Sequence, residues 1–263
     1  MRSKWLFALL LVACNVAAAR AAVKTKDIAY EYGGLSFKGH LAWDDAAQGK
    51  RPGVLVVHEW WGLNDYARKR AEQLAGLGYV AFACDMYGDG KVTEHPKEAG
   101  EFAGAVRKDV QVWRGRAQAA LKVLQAQEQV DASKLAAIGY CFGGSTALQL
   151  AYTGADLKAV VTFHAGLVVP DAEQAKAIKA KVLVCHGAAD TFIPEETAVK
   201  FRAALEGAKV DYEMVYFGGA KHSFTVKGID EKKVEGLAYN AEADRRSWAY
   251  MRLLFDEVFG ERK

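Results

Sequence analysis

Residues 135–145 read Leu-Ala-Ala-Ile-Gly-Tyr-Cys-Phe-Gly-Gly-Ser, and they decide the fold because they join a strand, a sharp turn and a helix start. The stretch has the Gly-x-Cys-x-Gly spacing of a nucleophile elbow, with Cys141 in the place where serine is commoner. Glycines on both sides allow close packing around a strained central residue, and a helix N-terminus favours a thiolate. We therefore predict that Cys141 is a nucleophile. The alternative is a buried structural cysteine beside a glycine-rich turn.

Short apolar runs alternate with longer amphipathic runs on both sides of this elbow, which is typical of a mostly parallel sheet with helices on both faces. The pair Gly33-Gly34 predicts that the sheet opens with an antiparallel hairpin. Eight strands are expected at Ile28–Tyr32, Ser36–Trp43, Val54–His58, Tyr79–Cys84, Leu135–Tyr140, Ala159–Phe163, Val182–Cys185 and Val210–Tyr216. Helices are expected at Asp65–Leu77, Pro96–Gln127 with a break near Gly104 or Arg107, Ser145–Ala151, Pro194–Glu206 and Asn240–Phe259.

A nucleophile needs a base and a group that orients the base, and in this kind of fold the chain order is nucleophile, acid, histidine. Asp190 follows the expected strand that ends at Cys185, and His222 follows the last expected strand. Catalytic groups gather beyond the carboxyl ends of parallel strands. Asp190 and His222 are therefore expected to join Cys141, although alone they would read as a capping aspartate and a loop histidine.

The composition excludes several other classes of function. The chain has 263 residues, 51% of them hydrophobic, and a net charge of only +3 with basic and acidic residues intermixed, so nucleic-acid binding is not expected. His58, His164 and His186 stand at strand ends and are expected to hydrogen-bond in a polar rim. No Cys/His spacing suggests a metal, and neither a metal nor another cofactor is expected. Cys84 and Cys185 end strands and are expected to be buried.

The N-terminus has the pattern of a secretory signal peptide, with Arg2 and Lys4 before an apolar run and small residues up to Ala21. The apolar run is too short for a transmembrane anchor. Export to the periplasm or the medium is expected, with residues 1–21 removed and residues 22–263 forming a single domain. The alternative is a lipoprotein, because Leu11-Val12-Ala13-Cys14 resembles a lipobox.

Five segments together resemble the dienelactone hydrolase family over nearly the whole mature chain. They are His58-Glu59-Trp60-Trp61-Gly62-Leu63-Asn64, Cys84-Asp85-Met86-Tyr87-Gly88, Gly139-Tyr140-Cys141-Phe142-Gly143-Gly144, His186-Gly187-Ala188-Ala189-Asp190 and His222-Ser223-Phe224. The resemblance implies an α/β-hydrolase fold and a Cys-His-Asp triad that cleaves an ester or lactone through an acyl-enzyme. It also implies that Glu59 contacts the nucleophile and controls its ionisation, and that the backbone amides of Trp60 and Phe142 form the oxyanion hole.

The resemblance does not extend to the substrate-binding residues, because the best-known members of the family hold the substrate carboxylate with two arginines. At the matching places this chain has Gly88 or Asp89, and Val226. A glycine or valine cannot replace a bidentate guanidinium, so we expect a neutral ester or lactone rather than an anionic one. An apolar pocket wall is expected from Trp60 together with the substrate-binding candidates Trp61, Met86 and Tyr87. Lys91, with Lys227 as a further candidate, is the expected weaker anion contact.

Two other classes of function remain open at this point. A protein with this fold that has lost turnover would be a small-molecule binding module, and the missing arginines are the reason to consider it. A thiol-based redox protein would also use Cys141, but no Cys-x-x-Cys pair accompanies it. The expected partner in the leading reading is a small ester or lactone, and the protein is expected to be a monomer.

Overall fold

An eight-stranded sheet forms the centre of the protein, with the strand order β1-β2-β4-β3-β5-β6-β7-β8. The structure is a computed structural model and describes residues 23–260, so the expected signal peptide over residues 1–21 lies outside the described residues. The strands are β1 (Val23–Tyr32), β2 (Leu35–Asp44), β3 (Arg51–Val57), β4 (Val80–Cys84), β5 (Val130–Tyr140), β6 (Ala159–Phe163), β7 (Lys181–Gly187) and β8 (Tyr212–Phe217).

The strand directions agree with the sequence prediction. β1 pairs antiparallel with β2, and β2 pairs antiparallel with β4. The pairs from β4 through β3, β5, β6 and β7 to β8 are all parallel. Gly33 and Gly34, between β1 and β2, have φ values of 59° and 76°, a backbone region that glycine occupies without the steric cost of a side chain.

Helices cover both faces of the sheet, which together with the strand order confirms the α/β-hydrolase fold. On β3, Val54 and Val56 pack into one apolar core and Leu55 and Val57 into the other, because alternate residues of a strand point to opposite faces. Helices α1 and α7 contribute to the first core, and α2, α3, α4 and α6 to the second. The helices are α1 (Asp65–Gly76), α2 (Pro96–Arg107), α3 (Val110–Gln125), α4 (Phe142–Ala151), α5 (Ala172–Ala177), α6 (Glu195–Gly207) and α7 (Ala241–Phe259).

The helices depart from the sequence prediction, or make it more specific, in three places. The segment expected as one broken helix is two helices, and the break follows Arg107 because the Asp109 carboxylate caps a new helix by accepting two backbone amides. Helix α4 begins at Phe142 rather than Ser145, since the turn at Cys141 is tight enough for the helix to start at the next residue. The short helix α5, held by a capping box at Asp171, was not predicted.

Across residues 23–260, no helix combines the length and the apolar character that a membrane crossing requires. Cys84 at the end of β4 and Cys185 within β7 are fully buried, as predicted, and neither forms a disulfide.

Candidate active site

Cys141 stands on a strained turn between β5 and α4, with φ of 52° and ψ of −114°. Gly139 and Gly143, two residues to either side of Cys141, must be glycine because other backbone atoms lie too close to leave room for a Cβ. A Cβ on Gly139 would lie 2.0 Å from the Gly143 carbonyl oxygen, and a Cβ on Gly143 would lie 2.2 Å from the Val57 carbonyl oxygen. A non-glycine residue in this backbone region is uncommon and costs energy, which the surrounding packing must supply. The turn leaves the Cys141 side chain half-buried and open to a cavity.

Asp190 and His222 meet at the same edge of the sheet, beyond the ends of β7 and β8. Asp190 Oδ2 lies 2.7 Å from His222 Nδ1, and both side chains are buried. The other carboxylate oxygen of Asp190 accepts a 2.9 Å hydrogen bond from the Phe192 amide. The His222 backbone is fixed in turn, because its amide donates to the Gly236 carbonyl and its carbonyl accepts from the Ala238 amide.

His222 lines the same cavity as Cys141 and interacts electrostatically with the Cys141 side chain as well as with Asp190. Burial by itself lowers the pKa of His222, but the interaction with Cys141, and then those with Asp190, raise that pKa to about 10. The imidazolium form is therefore favoured at neutral pH. A charged imidazole beside a thiol stabilises the thiolate, which is the nucleophilic form of cysteine.

Glu59 follows β3 and is buried behind this group of side chains. Its Oε1 accepts a 2.7 Å hydrogen bond from the Ser223 hydroxyl, and lies 3.7 Å from His164 Nδ1. The expectation from the family resemblance was a contact with the nucleophile, whereas here the hydrogen bond of Glu59 goes to Ser223, the neighbour of His222. Burial raises the pKa of the Glu59 carboxyl, while the Ser223 hydroxyl and the charge of His222 oppose that rise.

Trp60 lines the cavity together with Cys141, and Phe142 directly follows Cys141 in the chain. The close approach of Gly143 to the carbonyls of Val57 and His58 brings the N-terminus of α4 against the end of β3, where Trp60 follows. The Trp60 carbonyl is held from behind by a 2.9 Å hydrogen bond from the Tyr87 hydroxyl. Phe142 is the first residue of α4, where a backbone amide has no partner inside its own helix. This amide is free to donate a hydrogen bond to an anion beside Cys141.

A cavity of about 450 Å³ opens at Cys141 and His222. Apolar and aromatic side chains form most of its wall, and its basic side chains are Arg107 and His222. Such a mostly apolar cavity with a few polar groups is typical of small-molecule sites. The lining residues beside Cys141 and His222 are Trp60, Arg107, Trp113, Ser145, Gly166, Leu167, Val168, Phe192, Ile193, Pro194, Thr197 and Leu237.

Four candidate substrate-binding residues do not line this cavity, and for them the sequence prediction is corrected. Met86 is fully buried and Tyr87 is 4% exposed, because the Asp85 carboxylate accepts the amides of Tyr87 and Gly88 and turns the chain behind the Trp60 loop. Trp61 is 2% exposed and packs at 4.9 Å against Trp60, away from the cavity. Lys91 points to solvent, where it lies 3.8 Å from the Asp89 carboxylate. Lys227 is likewise exposed and outside the cavity lining.

Arg107 is the main cavity residue that sequence reasoning missed as a site residue. It is the last residue of α2, and its guanidinium lies over the ring of Phe142 at 5.3 Å and that of Trp113 at 6.0 Å. The break that ends α2 was visible in the sequence, but the position of that helix end over the cavity was not. Phe192 was also missed; its ring lies 5.1 Å from the His222 ring and is 49% exposed.

Within residues 23–260, no group of three or more His, Cys, Asp or Glu side chains is arranged to hold a metal ion. The two carboxyl groups of the site are instead paired with His222 and with the Ser223 hydroxyl.

Comparison with known proteins identifies the family to which the chain is similar. A family model described as the dienelactone hydrolase family matches residues 37–259. The solved structure m3DLH is 47% identical, with a TM-score of 0.88, and the match covers 90% of this chain and 99% of that one. A dienelactone hydrolase-like promiscuous phosphotriesterase from metagenomic libraries is 45% identical, with a TM-score of 0.89, over 91% of this chain and all of that one. Among curated relatives, "Protein usf" of Aquifex pyrophilus is 26% identical over 215 residues, which are 78% of this chain and 87% of the relative.

Proposed function

The chain belongs to the dienelactone hydrolase family and is a hydrolase of ester or lactone bonds, and we propose that it works through Cys141, His222 and Asp190 with a covalent acyl-enzyme. The observation that supports this proposal most is the 2.7 Å contact of Asp190 with His222, which lines the same cavity as Cys141. Nucleophile, base and orienting acid thus form one connected group at the mouth of a cavity.

In the first half of the reaction, the Cys141 thiolate attacks the substrate carbonyl carbon and a tetrahedral oxyanion forms. The amides of Trp60 and Phe142 are the proposed donors to that oxyanion, each typically worth about 3 kcal/mol of transition-state stabilisation. When the intermediate collapses, the carbon–oxygen bond to the alcohol breaks and the imidazolium of His222 gives its proton to the leaving oxygen. The product of this step is a thioester on Cys141 and a neutral imidazole.

In the second half, His222 accepts a proton from water as the water oxygen attacks the thioester carbonyl. Collapse breaks the carbon–sulfur bond, the acid product leaves, and the thiolate and imidazolium are restored. Asp190 keeps the Nδ1–H tautomer of His222 in place throughout, so that Nε2 faces the nucleophile side.

We further propose that the part of the substrate entering the cavity is uncharged. The wall beside Cys141 is apolar, and the exposed Arg107 guanidinium lies against aromatic faces rather than in a buried ion-binding niche. The test compares kcat/KM for a carboxylated lactone with that of its methyl ester, in the wild type and in Arg107→Met. A preference of about tenfold for the carboxylated form, lost in Arg107→Met, would contradict this proposal and assign anion recognition to Arg107.

A second candidate activity at the same site is phosphotriester hydrolysis. It is favoured by the similarity to a phosphotriesterase over nearly the whole chain. A neutral aryl phosphotriester belongs in the same substrate screen, and turnover that disappears in Cys141→Ala would establish it.

The experiment for the main proposal is a screen of p-nitrophenyl esters and lactones with wild type, Cys141→Ala and Cys185→Ala. Cys185 is a buried thiol of β7 whose Sγ faces the Ser247 carbonyl, so it is a matched control outside the site. Turnover that is abolished in Cys141→Ala and kept in Cys185→Ala supports the proposal. Ligand binding without any turnover in the wild type would favour the binding module, and reversible oxidation of Cys141 without turnover would favour the redox protein.

We also propose that the protein is exported, with a cleaved signal peptide over residues 1–21. The charged start, the apolar run and the small residues before Ala22 support this. Lipidation at Cys14 is the alternative, and the mass of the N-terminal peptide from the native compartment distinguishes the two.

A further inference from the structure

A buried histidine behind the active site has no part in the mechanism described above. His164 follows β6 with φ of 40°, and its side chain is fully buried. Its ring lies 5.3 Å from the His222 ring and its Nδ1 lies 3.7 Å from Glu59 Oε1. Nδ1 is enclosed and makes no hydrogen bond within the described part of the chain. A strained, buried imidazole with one free nitrogen facing a buried carboxylate calls for an explanation.

The hydrogen-bond directions around His164 determine which of its nitrogens carries the proton. Arg70 Nε can only donate, and it donates to the Tyr66 oxygen over 3.2 Å. Tyr66 therefore uses its own hydrogen toward Thr225 Oγ1 at 2.6 Å, and the Thr225 hydroxyl uses its hydrogen toward His164 Nε2 at 2.7 Å. We assign these directions because the hydrogens of Arg70 Nε, Tyr66 and Thr225 then each have an acceptor. It makes Nε2 the acceptor of His164 and leaves the proton on Nδ1, which faces Glu59.

The imidazole of His164 is neutral in this environment. Burial lowers its pKa well below the ordinary histidine value, and the positive charges of His222 and Arg70 act in the same direction. At 3.7 Å the Nδ1–H group interacts with Glu59 Oε1 as an oriented dipole, since this separation exceeds hydrogen-bond length. In a dry interior such a dipole is only weakly screened by water.

We propose that His164 is a positioning residue that directs a neutral Nδ1–H group at Glu59 Oε1 and so keeps the Glu59 carboxylate ionised and paired with Ser223. This inference rests on the proposed function. The negative charge of Glu59 then lies beside His222 and stabilises the imidazolium that the thiolate of Cys141 requires. Without the Nδ1–H group, burial would favour the protonated Glu59, and that support for the ion pair would be lost.

Several other titratable groups surround the Glu59–His164 pair, and they belong to different elements. Arg70 comes from α1 and acts on both members of the pair; His222 lies beside both, and His186 adds to the field at His164. Tyr66 and Tyr140 carry electrostatic coupling to Glu59. Substitutions at His164 leave all these groups in place, so a change in the titration of Glu59 reports on the Nδ1–H dipole.

The test measures the pH profile of kcat/KM for wild type, His164→Phe and His164→Gln. Loss of the dipole in His164→Phe should move the acidic limb to higher pH by on the order of one unit. His164→Gln can again present an N–H donor and should return the limb toward the wild-type position. Thr162→Val is the control, because Thr162 lies in β6 just before His164 and has a buried hydroxyl that makes no hydrogen bond within residues 23–260. The acidic limb of the pH profile of Thr162→Val should stay at the wild-type position.

A second measurement does not depend on turnover. Infrared difference spectra against Glu59→Gln identify the carboxyl band of Glu59, and its titration should move upward in His164→Phe. If the wild type cleaves no ester, the proposed function fails while this titration still tests His164. If His164→Phe does not fold, Thr225→Val, which removes the partner of Nε2, should shift the same titration upward. An unmoved titration of Glu59 in the folded variants, or equal shifts in the Phe and Gln variants, would overturn the proposal.

Discussion

Asp190→Asn is the substitution whose effect follows most directly from the geometry of the site. Asp190 Oδ1 accepts the Phe192 amide at 2.9 Å, so the asparagine oxygen should take that position. The asparagine NH2 group then faces His222 Nδ1, which becomes an acceptor, and the ring proton moves to Nε2. A histidine in that tautomer cannot accept the proton of the nucleophile or of water.

The magnitude follows from the loss of a buried, charge-assisted pair. Removing one partner of such a pair typically costs about 2–5 kcal/mol, which corresponds to a fall in kcat/KM of roughly 30-fold to 5,000-fold. The pKa of His222 also loses the contribution of Asp190, so the pH at which the imidazolium deprotonates should fall below its value of about 10. The basic limb of the pH profile should therefore move to lower pH.

The assay is steady-state hydrolysis of the best p-nitrophenyl ester between acidic and basic pH, with thermal unfolding measured in parallel. Asp171→Asn is the matched control, because Asp171 caps the exposed helix α5 and asparagine caps a helix about as well as aspartate does. Activity of Asp190→Asn within threefold of the wild type, with the basic limb unmoved, would refute the role assigned to Asp190.

Three further predictions concern the cavity, the stability and the N-terminus. Phe192→Ala removes the exposed ring next to His222 and should raise KM for aromatic esters by roughly threefold to tenfold, with little change in kcat. Steady-state kinetics with phenyl and acetyl esters will test this. Because the pKa of His222 is raised in the folded state, its contribution to the free energy of unfolding is fully present below about pH 6.5 and is lost as the pH rises through about 10. Urea titrations of wild type and His222→Gln should therefore give free energies of unfolding whose difference shrinks across this pH range. A difference that stays constant with pH would contradict this prediction. Protein recovered from the native compartment should begin at Ala22, and retention of residues 1–21 would contradict cleavage.

The sequence predicted the sheet, and the meeting of Asp190 with His222 at one of its edges, because both depend on local signals. Cys141 is identified by a turn motif, and Asp190 and His222 each directly follow an apolar strand. Since the strands are parallel, their carboxyl ends share one edge, and residues just beyond those ends come together whatever the loops between them do.

The residues that the sequence placed wrongly depend on the direction in which a loop turns. Tyr87 and Met86 follow β4, close in sequence to the expected pocket, but the Asp85 carboxylate bends that loop behind Trp60. Arg107 reaches the cavity from a helix end whose position is set by packing of α2 against α3 and of α3 against the sheet. His164 acquires its environment from Glu59, Thr225 and His222, which are distant in sequence. None of these contacts leaves a periodic or local pattern in the chain.

The central claim of this account is that Cys141 carries the acyl group of the substrate during turnover. The most direct measurement mixes the wild-type enzyme with a p-nitrophenyl ester, quenches the reaction in acid within the first turnover, and locates the added mass by peptide mapping. We predict an increase equal to the acyl group on the peptide that contains Cys141, together with an initial burst of p-nitrophenol, and neither in Cys141→Ala. Turnover of the ester with no adduct on Cys141, or with the adduct on another residue, would contradict the account.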